Sequence, residues 1–164
     1  MPKIDREQAV LRERLAYPGS RLERTRGCFK TMLSDAGSLT QFGAGEVELK
    51  PGAASSLMHW HEQEDEFVYV LQGEVVLVEQ HGGETVMHAG DCAAFPAGTA
   101  NGHTFENRSA APVRLLEVGS RAQGERAHYP GVDMVYHRSA EGSHFTTRGG
   151  EPLGREDEPD AVSD

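Results

Sequence analysis

Cysteine is almost absent from this sequence, with only Cys28 and Cys92 among its 164 residues. A secreted domain of this size seldom relies on a single disulfide, so the composition does not favour a disulfide-stabilised extracellular fold. We interpret both residues as reduced thiols. We expect Cys92 to lie in the core beside Ala93 and Phe95.

Long apolar segments are missing as well. The longest apolar runs, residues 67–71 and 75–78, are far too short to cross a bilayer. No long apolar stretch follows residues 1–7, which gives no indication of a signal peptide. We therefore expect a cytoplasmic protein that does not bind membranes.

Positive charge is in deficit, because 16 Lys and Arg residues face 26 Asp and Glu residues, for a formal net charge of -10. Nucleic acids and anionic membranes need a cationic surface, so neither is expected as a partner. Histidine, by contrast, is abundant, with 8 residues. The length is sufficient for one domain with a hydrophobic core.

Composition divides the chain into four segments. Residues 1–37 are mixed and charged and are predicted as an N-terminal arm. Within it, residues 5–15 form either an irregular segment or a short helix with Asp5 as its N-cap and Leu11 and Leu15 on one face. Residues 38–120 form the core, residues 121–150 a C-terminal extension packed on it, and residues 151–164 an acidic, disordered tail. Residues 134–137 of the extension are expected to add one edge strand.

Short apolar segments separated by glycine turns dominate residues 38–120. Alternating, β-branched or aromatic content predicts strands at residues 46–50, 66–72, 74–80, 85–88, 92–95, 102–107 and 113–118. We expect the 66–72 strand to be well buried. Gly73 and Gly90 fall in turns that need a positive φ. Strands at this spacing predict an all-β fold, an antiparallel sandwich or barrel.

His59 and His61 begin the candidate functional site. Residues i and i+2 of a strand share a face, so both imidazoles can reach one ion while Trp60 points the other way. Glu66 can add a carboxylate oxygen and His103 a third imidazole, which completes a four-ligand set for a metal. Taken singly, these residues also fit a polar strand end, a solvated turn and a hydrogen-bonded histidine.

Glycines and a proline surround these four residues at defined offsets. The two clusters read Gly52-x6-His59-x-His61-x4-Glu66-x6-Gly73 and Gly90-x5-Pro96-x-Gly98-x4-His103-x3-Asn107. They resemble the two motifs of the cupin superfamily, Gly-x5-His-x-His-x3,4-Glu-x6-Gly and Gly-x5-Pro-x-Gly-x2-His-x3-Asn. The chain departs from them by one extra residue before His59 and two before His103.

The resemblance covers about residues 39–119 and implies a fold, a ligand set and an oligomeric state. The fold is an antiparallel double-stranded β-helix, the jelly-roll barrel of small stand-alone bacterial cupins. The ligands are His59, His61, Glu66 and His103, which hold one divalent transition metal per chain. The ligand types do not distinguish Fe, Mn, Ni, Zn, Co and Cu. Such barrels often form homodimers, and exposed edge strands favour the same expectation.

A metal with these ligands keeps positions open for a small molecule that carries two adjacent oxygens. We expect isomerase, lyase or dioxygenase chemistry on a sugar derivative, a keto or enol acid, or a catechol-like compound. The alternative is a non-catalytic cupin that binds or senses a small molecule. A storage cupin and a barrel with a decayed metal site fit less well, because the chain is short and the ligand set is complete.

Glu64, Asp65 and Tyr69 are the candidates for acid–base catalysis. Glu64 and Asp65 also fit solvated turn carboxylates, which is the more common role of residues in a charge run. Further candidates for the lining of the barrel mouth are Met58, Gln72, Phe95, Phe105 and Glu117. The remaining histidines are interpreted as surface residues: His81, His88, His128, His137 and His144.

Overall fold

The computed structural model describes residues 3–5, 9–13, 17–155, 157, 159–160 and 162. The strands in this part of the chain are β1 Leu11–Glu13, β2 Cys28–Met32, β3 Phe42–Leu49, β4 Trp60–His61, β5 Glu66–Gln72, β6 Glu74–Glu79, β7 Gly83–His88, β8 Cys92–Phe95, β9 His103–Glu106, β10 Val113–Ser120, β11 Arg126–His128, β12 Val135–Ser139, β13 Gly142–Thr146 and β14 Pro152–Leu153. A 3₁₀ helix spans Gly19–Thr25, and the short helix α1 spans Leu33–Ala36. No helix among the described residues has the length and apolar character needed to cross a membrane.

Three antiparallel sheets build the molecule. The largest has the strand order β1-β2-β3-β10-β5-β8, the second β14-β13-β12-β11-β4, and the third β7-β6-β9. All described pairings are antiparallel. The prediction of an all-β, antiparallel double-stranded β-helix is confirmed.

Alternation along the central strands places the barrel core. On β10, Val113, Leu115 and Glu117 are buried, and the residues between them are half-buried. Successive side chains of a strand point to opposite faces, so these three residues face the barrel interior. The core cluster consists of Cys28, Val47, Leu49, Ala53, Val68, Val70, Val75, Leu77, Met87, Phe105, Val113 and Leu115.

The prediction of a well-buried strand at residues 66–72 is wrong on one face of β5. Val68 and Val70 are buried, but Phe67, Tyr69 and Leu71 are 38%, 37% and 41% exposed. The strand has the composition of one buried on both sides, whereas its sheet covers the core with one face only. The exposed apolar residues therefore form a stripe on the outer face of the barrel.

Gly73 links β5 to β6 with a φ of 89°, and Gly90 has a φ of 103°, which confirms the predicted turns. At Gly73 an added Cβ would also lie 3.1 Å from the Val113 side chain. Both the backbone conformation and the close approach to β10 therefore favour glycine there.

Part of the N-terminal arm differs from the predicted helix. Leu11–Glu13 forms β1, in which Leu11 lies opposite Thr31 and Arg12 opposite Lys30 on β2. The backbone hydrogen-bonding groups at the edge of β2 are satisfied by this pairing, and this tertiary contact overrides the weak local helical pattern. Asp5 is in neither a helix nor a strand, and Leu15 lies outside the described residues.

The C-terminal extension has more structure than the single predicted edge strand. β11, β12 and β13 form a meander, which pairs with β4 through β11. A second core cluster contains Tyr17, Tyr129, Val132 and Met134. Met134 is fully buried. The extension therefore lies directly beside the strand that carries His61.

The expectation of a disordered tail is wrong for its described part. Pro152–Leu153 forms β14 and pairs with β13. The backbone N–H of Asp133 donates to the carbonyl of Asp160 at 2.7 Å, and Arg21 Nη2 donates to the carbonyl of Pro159 at 2.6 Å. Residues 156, 158, 161 and 163–164 lie outside the described part of the chain.

The expectation that Cys92 lies in the core is wrong. Cys92 is exposed and Cys28 is buried. Cys92 lies on β8, the edge strand of the largest sheet, opposite Tyr69 on the outer face of β5. The local apolar sequence around Cys92 predicted burial, but the edge position exposes it.

Candidate metal centre

Three neighbouring strands bring the four predicted ligands together. His61 lies in β4, Glu66 begins β5 and His103 begins β9. His59 pairs with His103 through two backbone hydrogen bonds, of 3.2 and 2.9 Å, so their side chains are adjacent. Trp60 points away from the site, as expected, and stacks on His128 with ring centroids 4.4 Å apart.

The imidazole Nε2 atoms converge on one carboxylate oxygen. Glu66 Oε2 lies 3.0 Å from His103 Nε2, 3.8 Å from His61 Nε2 and 3.9 Å from His59 Nε2. Atoms bound to one ion at about 2.1 Å lie about 3 Å apart in adjacent positions and about 4.2 Å apart in opposite ones. The separations fall in this range, so the donor set fits a divalent metal. Ligand atoms of His59, His61 and Glu66 all lie within 4.8 Å of one another.

His59 is oriented from within the barrel. Its Nδ1 lies 3.0 Å from the carbonyl oxygen of Leu57 and 3.2 Å from Ser56 Oγ. A carbonyl oxygen can only accept, so Nδ1 donates to it, and in the neutral ring Nε2 then carries no proton. That is the tautomer a metal ligand needs.

His61 is oriented from the extension. Its Nδ1 lies 3.1 Å from Oε1 of Glu125, the residue that precedes β11. The Glu125 side chain is fully buried. The sequence offered no signal for Glu125, because it belongs to none of the clustered motifs.

His103 is held by packing. Its ring stacks on Phe95 with centroids 3.5 Å apart and planes 6° from parallel, and the residue is 2% exposed. Its Nδ1 is buried and has no hydrogen-bond partner among the described residues. The protein thus fixes the plane of this ring and leaves its tautomer to the group bound at Nε2.

Glu66 combines burial with positive surroundings. Burial by itself raises the pKa of this carboxyl group. The hydrogen bond from His103 and the charges of His59, His103 and His61 outweigh burial, so that the pKa of Glu66 lies well below its ordinary value. The carboxylate is therefore held in the charged form that binds a cation.

The site opens into a cavity of about 300 Å³. Its walls come from the barrel and from the extension: Tyr17, Lys30, Met32, Gly43, His59, His61, Glu64, Asp65, Glu66, Glu117, Gly119, Ser120, Arg121, Ala127, Tyr129, Tyr136, Arg138 and Phe145. A volume of this size suits a small molecule. Each of the three cations has a carboxylate partner: Lys30 with Glu117 at 2.6 Å, Arg121 with Asp35, and Arg138 with Glu64.

Glu64 is not the solvated turn carboxylate that a charge run suggests. It is 7% exposed and lies on the cavity wall. Its Oε1 accepts hydrogen bonds from the Ala122 N–H at 2.7 Å and from Arg138. Burial raises the pKa of Glu64, although the nearby charge of Arg138 and the Ala122 N–H act in the opposite direction. No hydrogen bond from the described residues reaches Oε2, which leaves it available to a ligand.

The other two acid–base candidates differ in position. Asp65 is exposed and its Oδ1 accepts the Ala97 N–H at 2.9 Å, which anchors the loop after β8 at the edge of the cavity. Tyr69 lies on the outer face of β5, opposite to Glu66, and the structure does not bring it to the site.

The remaining residues predicted to line the barrel mouth also differ in position. Glu117 lines the cavity, and Phe95 and Phe105 pack around His103, whereas Gln72 is exposed at the end of β5. Met58 lies against Gly102, where its Cγ would be 2.8 Å from an added Cβ. Sequence reasoning missed Arg121, Tyr129, Tyr136 and Arg138 because they follow the motif-bearing region.

Two of the histidines interpreted as surface residues are half-buried. His128 Nε2 lies 2.6 Å from Glu62 Oε1, under the Trp60 ring. His137 Nε2 lies 2.9 Å from Thr146 Oγ1. The other three, His81, His88 and His144, are exposed.

Comparison with known proteins agrees with this architecture. The family model described as "Cupin domain" matches residues 45–119. A crystal structure of a sugar phosphate isomerase of the cupin superfamily, from Silicibacter pomeroyi, is 46% identical and has a TM-score of 0.87. The alignment covers 93% of this chain and 97% of that one. No protein with curated annotation matches the chain.

Two further structures are similar at lower identity. A putative sugar phosphate isomerase from Acidithiobacillus ferrooxidans is 26% identical with a TM-score of 0.69, over 79% of this chain and 81% of that one. A predicted oxalate decarboxylase from Thermotoga maritima is 21% identical with a TM-score of 0.56, over 74% of this chain and all of that one, and shows the shared fold alone. Both the motifs and the extended match to the Silicibacter protein place the chain in the cupin superfamily.

Proposed function

We propose that this protein is a metal-dependent isomerase that acts on a small phosphorylated sugar. The observation that carries the proposal is the convergence of three imidazole Nε2 atoms on Glu66, at a cavity whose wall also holds the buried carboxylate Glu64. The substrate class is taken from the Silicibacter relative, which is 46% identical and is described as a sugar phosphate isomerase.

His59, His61, His103 and Glu66 are the residues that would hold the divalent ion. When bound, such an ion supplies Lewis acidity toward the carbonyl and adjacent hydroxyl oxygens of an aldose or ketose. With their Nε2 atoms deprotonated, the histidines would offer three neutral nitrogens, and the half-buried Glu66 would add one negative charge. His59, His61 and Glu66 line the cavity, so a sugar bound there would have its reacting carbons beside them.

Glu64 is the proposed acid–base group. Isomerisation between an aldose and a ketose moves a proton from the carbon that bears the hydroxyl to the carbonyl carbon, through an enediol. The hydroxyl proton passes at the same time to the former carbonyl oxygen, so that the carbonyl and hydroxyl groups exchange places. Glu64 Oε2 takes the carbon-bound proton and returns it to the neighbouring carbon, while the Ala122 N–H and Arg138 hold Oε1 in place. A positioned carboxylate of this kind typically contributes a factor of about 10²–10⁴ to the rate.

The cations of the cavity provide an anchor for the phosphate. Lys30 reaches the cavity from β2, Arg121 from the end of β10 and Arg138 from β12. The Arg121 side chain is 27% exposed, so it is accessible to an incoming anion. A guanidinium group offers paired N–H donors that match phosphate oxygens, which favours Arg121 as the primary contact.

The test is isomerisation assayed with a panel of aldose and ketose phosphates, after loading the protein with Mn²⁺, Fe²⁺, Co²⁺, Ni²⁺ or Zn²⁺. Deuterium uptake from D₂O at the carbon beside the carbonyl, followed by NMR, reports the proton transfer. We expect turnover of at least one pair, and a loss of about 10²–10⁴-fold in Glu64→Gln with unchanged metal content. Binding without deuterium uptake across the panel would contradict the isomerase and favour a sensing cupin.

A further inference from the structure

Glu125 lies outside the matched cupin region and is a buried carboxylate with three polar contacts beside the site. Its side chain is fully buried. Its Oε2 accepts the Gln63 N–H at 2.8 Å. Its Oε1 accepts the Glu62 N–H at 3.2 Å and contacts His61 Nδ1 at 3.1 Å. One side chain of the extension therefore holds the first half of the turn that separates two candidate metal ligands, His61 and Glu66.

We propose that Glu125 is a positioning residue for the metal centre, which selects the tautomer of His61 and fixes the turn that leads to Glu66. The inference deepens the proposed function and rests on the metal site described there. It assigns to the extension, rather than to the cupin motifs, control over how tightly the ion is held.

The hydrogen bonds of Glu125 determine which nitrogen of the neutral His61 ring carries the proton. Both oxygens of Glu125 already accept backbone N–H groups, so the carboxylate faces His61 as an acceptor. His61 Nδ1 must then donate, and the ring proton is removed from Nε2, the atom directed at Glu66. A carboxylate on the far nitrogen of a metal-bound histidine typically changes metal affinity by a factor of about 10–100.

The neighbouring acidic cluster is better explained by this role than by a second ion. Oxygens of Glu64 and Glu125 and a nitrogen of His61 lie within 4.8 Å of one another. Arg138 already donates to Glu64, and its backbone N–H donates to the Glu125 carbonyl at 2.9 Å. The guanidinium is thus the cation of this cluster.

Glu125→Gln is the informative variant because it keeps size and shape but converts one acceptor into a donor. If the amide oxygen keeps the shorter bond to Gln63, the amide NH₂ takes the place of Oε1, so that the Glu62 N–H loses its acceptor and His61 Nδ1 must accept. The ring proton moves to Nε2 and opposes metal binding. Titration with Zn²⁺ alone, in competition with a chelator, should show about 10–100-fold weaker binding than wild type.

Glu62→Gln is the matched control. It makes the same Glu-to-Gln change at a residue of the turn that Glu125 contacts. Glu62 also contacts a histidine, His128, which is not a candidate ligand. We expect its Zn²⁺ affinity to stay within twofold of wild type. An unchanged Zn²⁺ affinity in Glu125→Gln would overturn the proposal, because the contact with His61 would then have no effect on metal binding. An equal loss of Zn²⁺ affinity in both variants would also overturn it, because the effect would then come from the stability of the turn.

The tautomer of His61 in the metal-free wild-type protein gives a readout that does not depend on any variant. Long-range ¹H–¹⁵N NMR of the neutral ring should show the proton on Nδ1, and in Glu125→Gln on Nε2. A neutral wild-type ring with its proton on Nε2 would overturn the inference even if the variant fails to fold. Failure of wild type to bind Zn²⁺ would instead contradict the proposed function, with the tautomer still testing Glu125.

Discussion

The barrel of residues 38–120 and the extension of residues 121–150 contribute to the metal centre in different ways. The barrel supplies every candidate ligand and orients His59 through its own carbonyl at Leu57. The extension supplies no ligand, but it orients His61 through Glu125 and holds Glu64 through Arg138. The comparison indicates that the motifs determine which atoms can bind a metal, whereas the extension determines how two of the key side chains are presented.

Removing the paired imidazoles should have the largest effect and isolates the contribution of the barrel. We expect the double variant His59→Ala/His61→Ala to lose metal binding entirely, because two of the four donors disappear from one short segment. Its far-UV circular dichroism should remain that of a β protein. Metal content measured by mass spectrometry, on protein purified without a nickel column, checks this. Stoichiometric metal in the double variant would refute the ligand assignment.

Core truncations test whether the two regions fold as one unit. Leu115→Ala in the barrel core and Met134→Ala in the extension core each remove a fully buried side chain. Each should lower the free energy of unfolding by about 2–5 kcal/mol. Because β4 pairs with β11, we expect one cooperative urea transition in both variants. A separate early transition in Met134→Ala, seen by tyrosine fluorescence or NMR, would show that the extension unfolds alone.

Removal of residues 152–164 should have a moderate effect, which the acidic composition alone does not predict. The change deletes β14 and the backbone bonds of Asp133 with Asp160 and of Gly19 with Arg155. A decrease of about 2 kcal/mol in the free energy of unfolding corresponds to a fall in melting temperature of about 4–8 °C for a chain of this size. An unchanged melting temperature, measured by calorimetry, would show that the tail contributes nothing.

The smallest expected effect concerns His137 in the extension. Burial, followed by the nearby His144, Arg126 and His128, lowers the pKa of His137 below its ordinary value of 6.5, and Glu62 opposes the shift. The unfolded chain then takes up a proton more readily, so this group reduces stability as the pH falls below about 6.5. His137→Gln should flatten the pH dependence of unfolding below pH 6.5. An identical slope in both proteins would assign that dependence to other groups.

Much of the barrel was predictable because its signals are local. Alternation and glycine turns located β5, β6 and β8, and the spacing of His59, His61, Glu66 and His103 anticipated their convergence. The sequence was misleading where tertiary contacts decide. Residues 11–13 form β1 because they pair with the edge of β2. Cys92 is exposed because it lies on the edge strand of its sheet, and Tyr69 is exposed because only one face of its sheet covers the core.

The roles of the extension were beyond local reasoning for a different reason. Glu125 and Arg138 are single charged residues, distant in sequence from the partners they contact, and neither follows a periodic pattern. Glu64 lies in a charge run and becomes buried only because Ala122 and Arg138 fold over it. Such contacts follow from the assembled sheet order, which no short motif encodes.

Anomalous diffraction at the absorption edge of the bound metal, on crystals of protein purified without a nickel column, would locate the ion and identify its ligands directly. We expect one peak per chain, at about 2.1 Å from the Nε2 atoms of His59, His61 and His103 and from a Glu66 oxygen. A peak between His61 Nδ1 and Glu125, or no peak after reconstitution with divalent metals, would contradict this expectation.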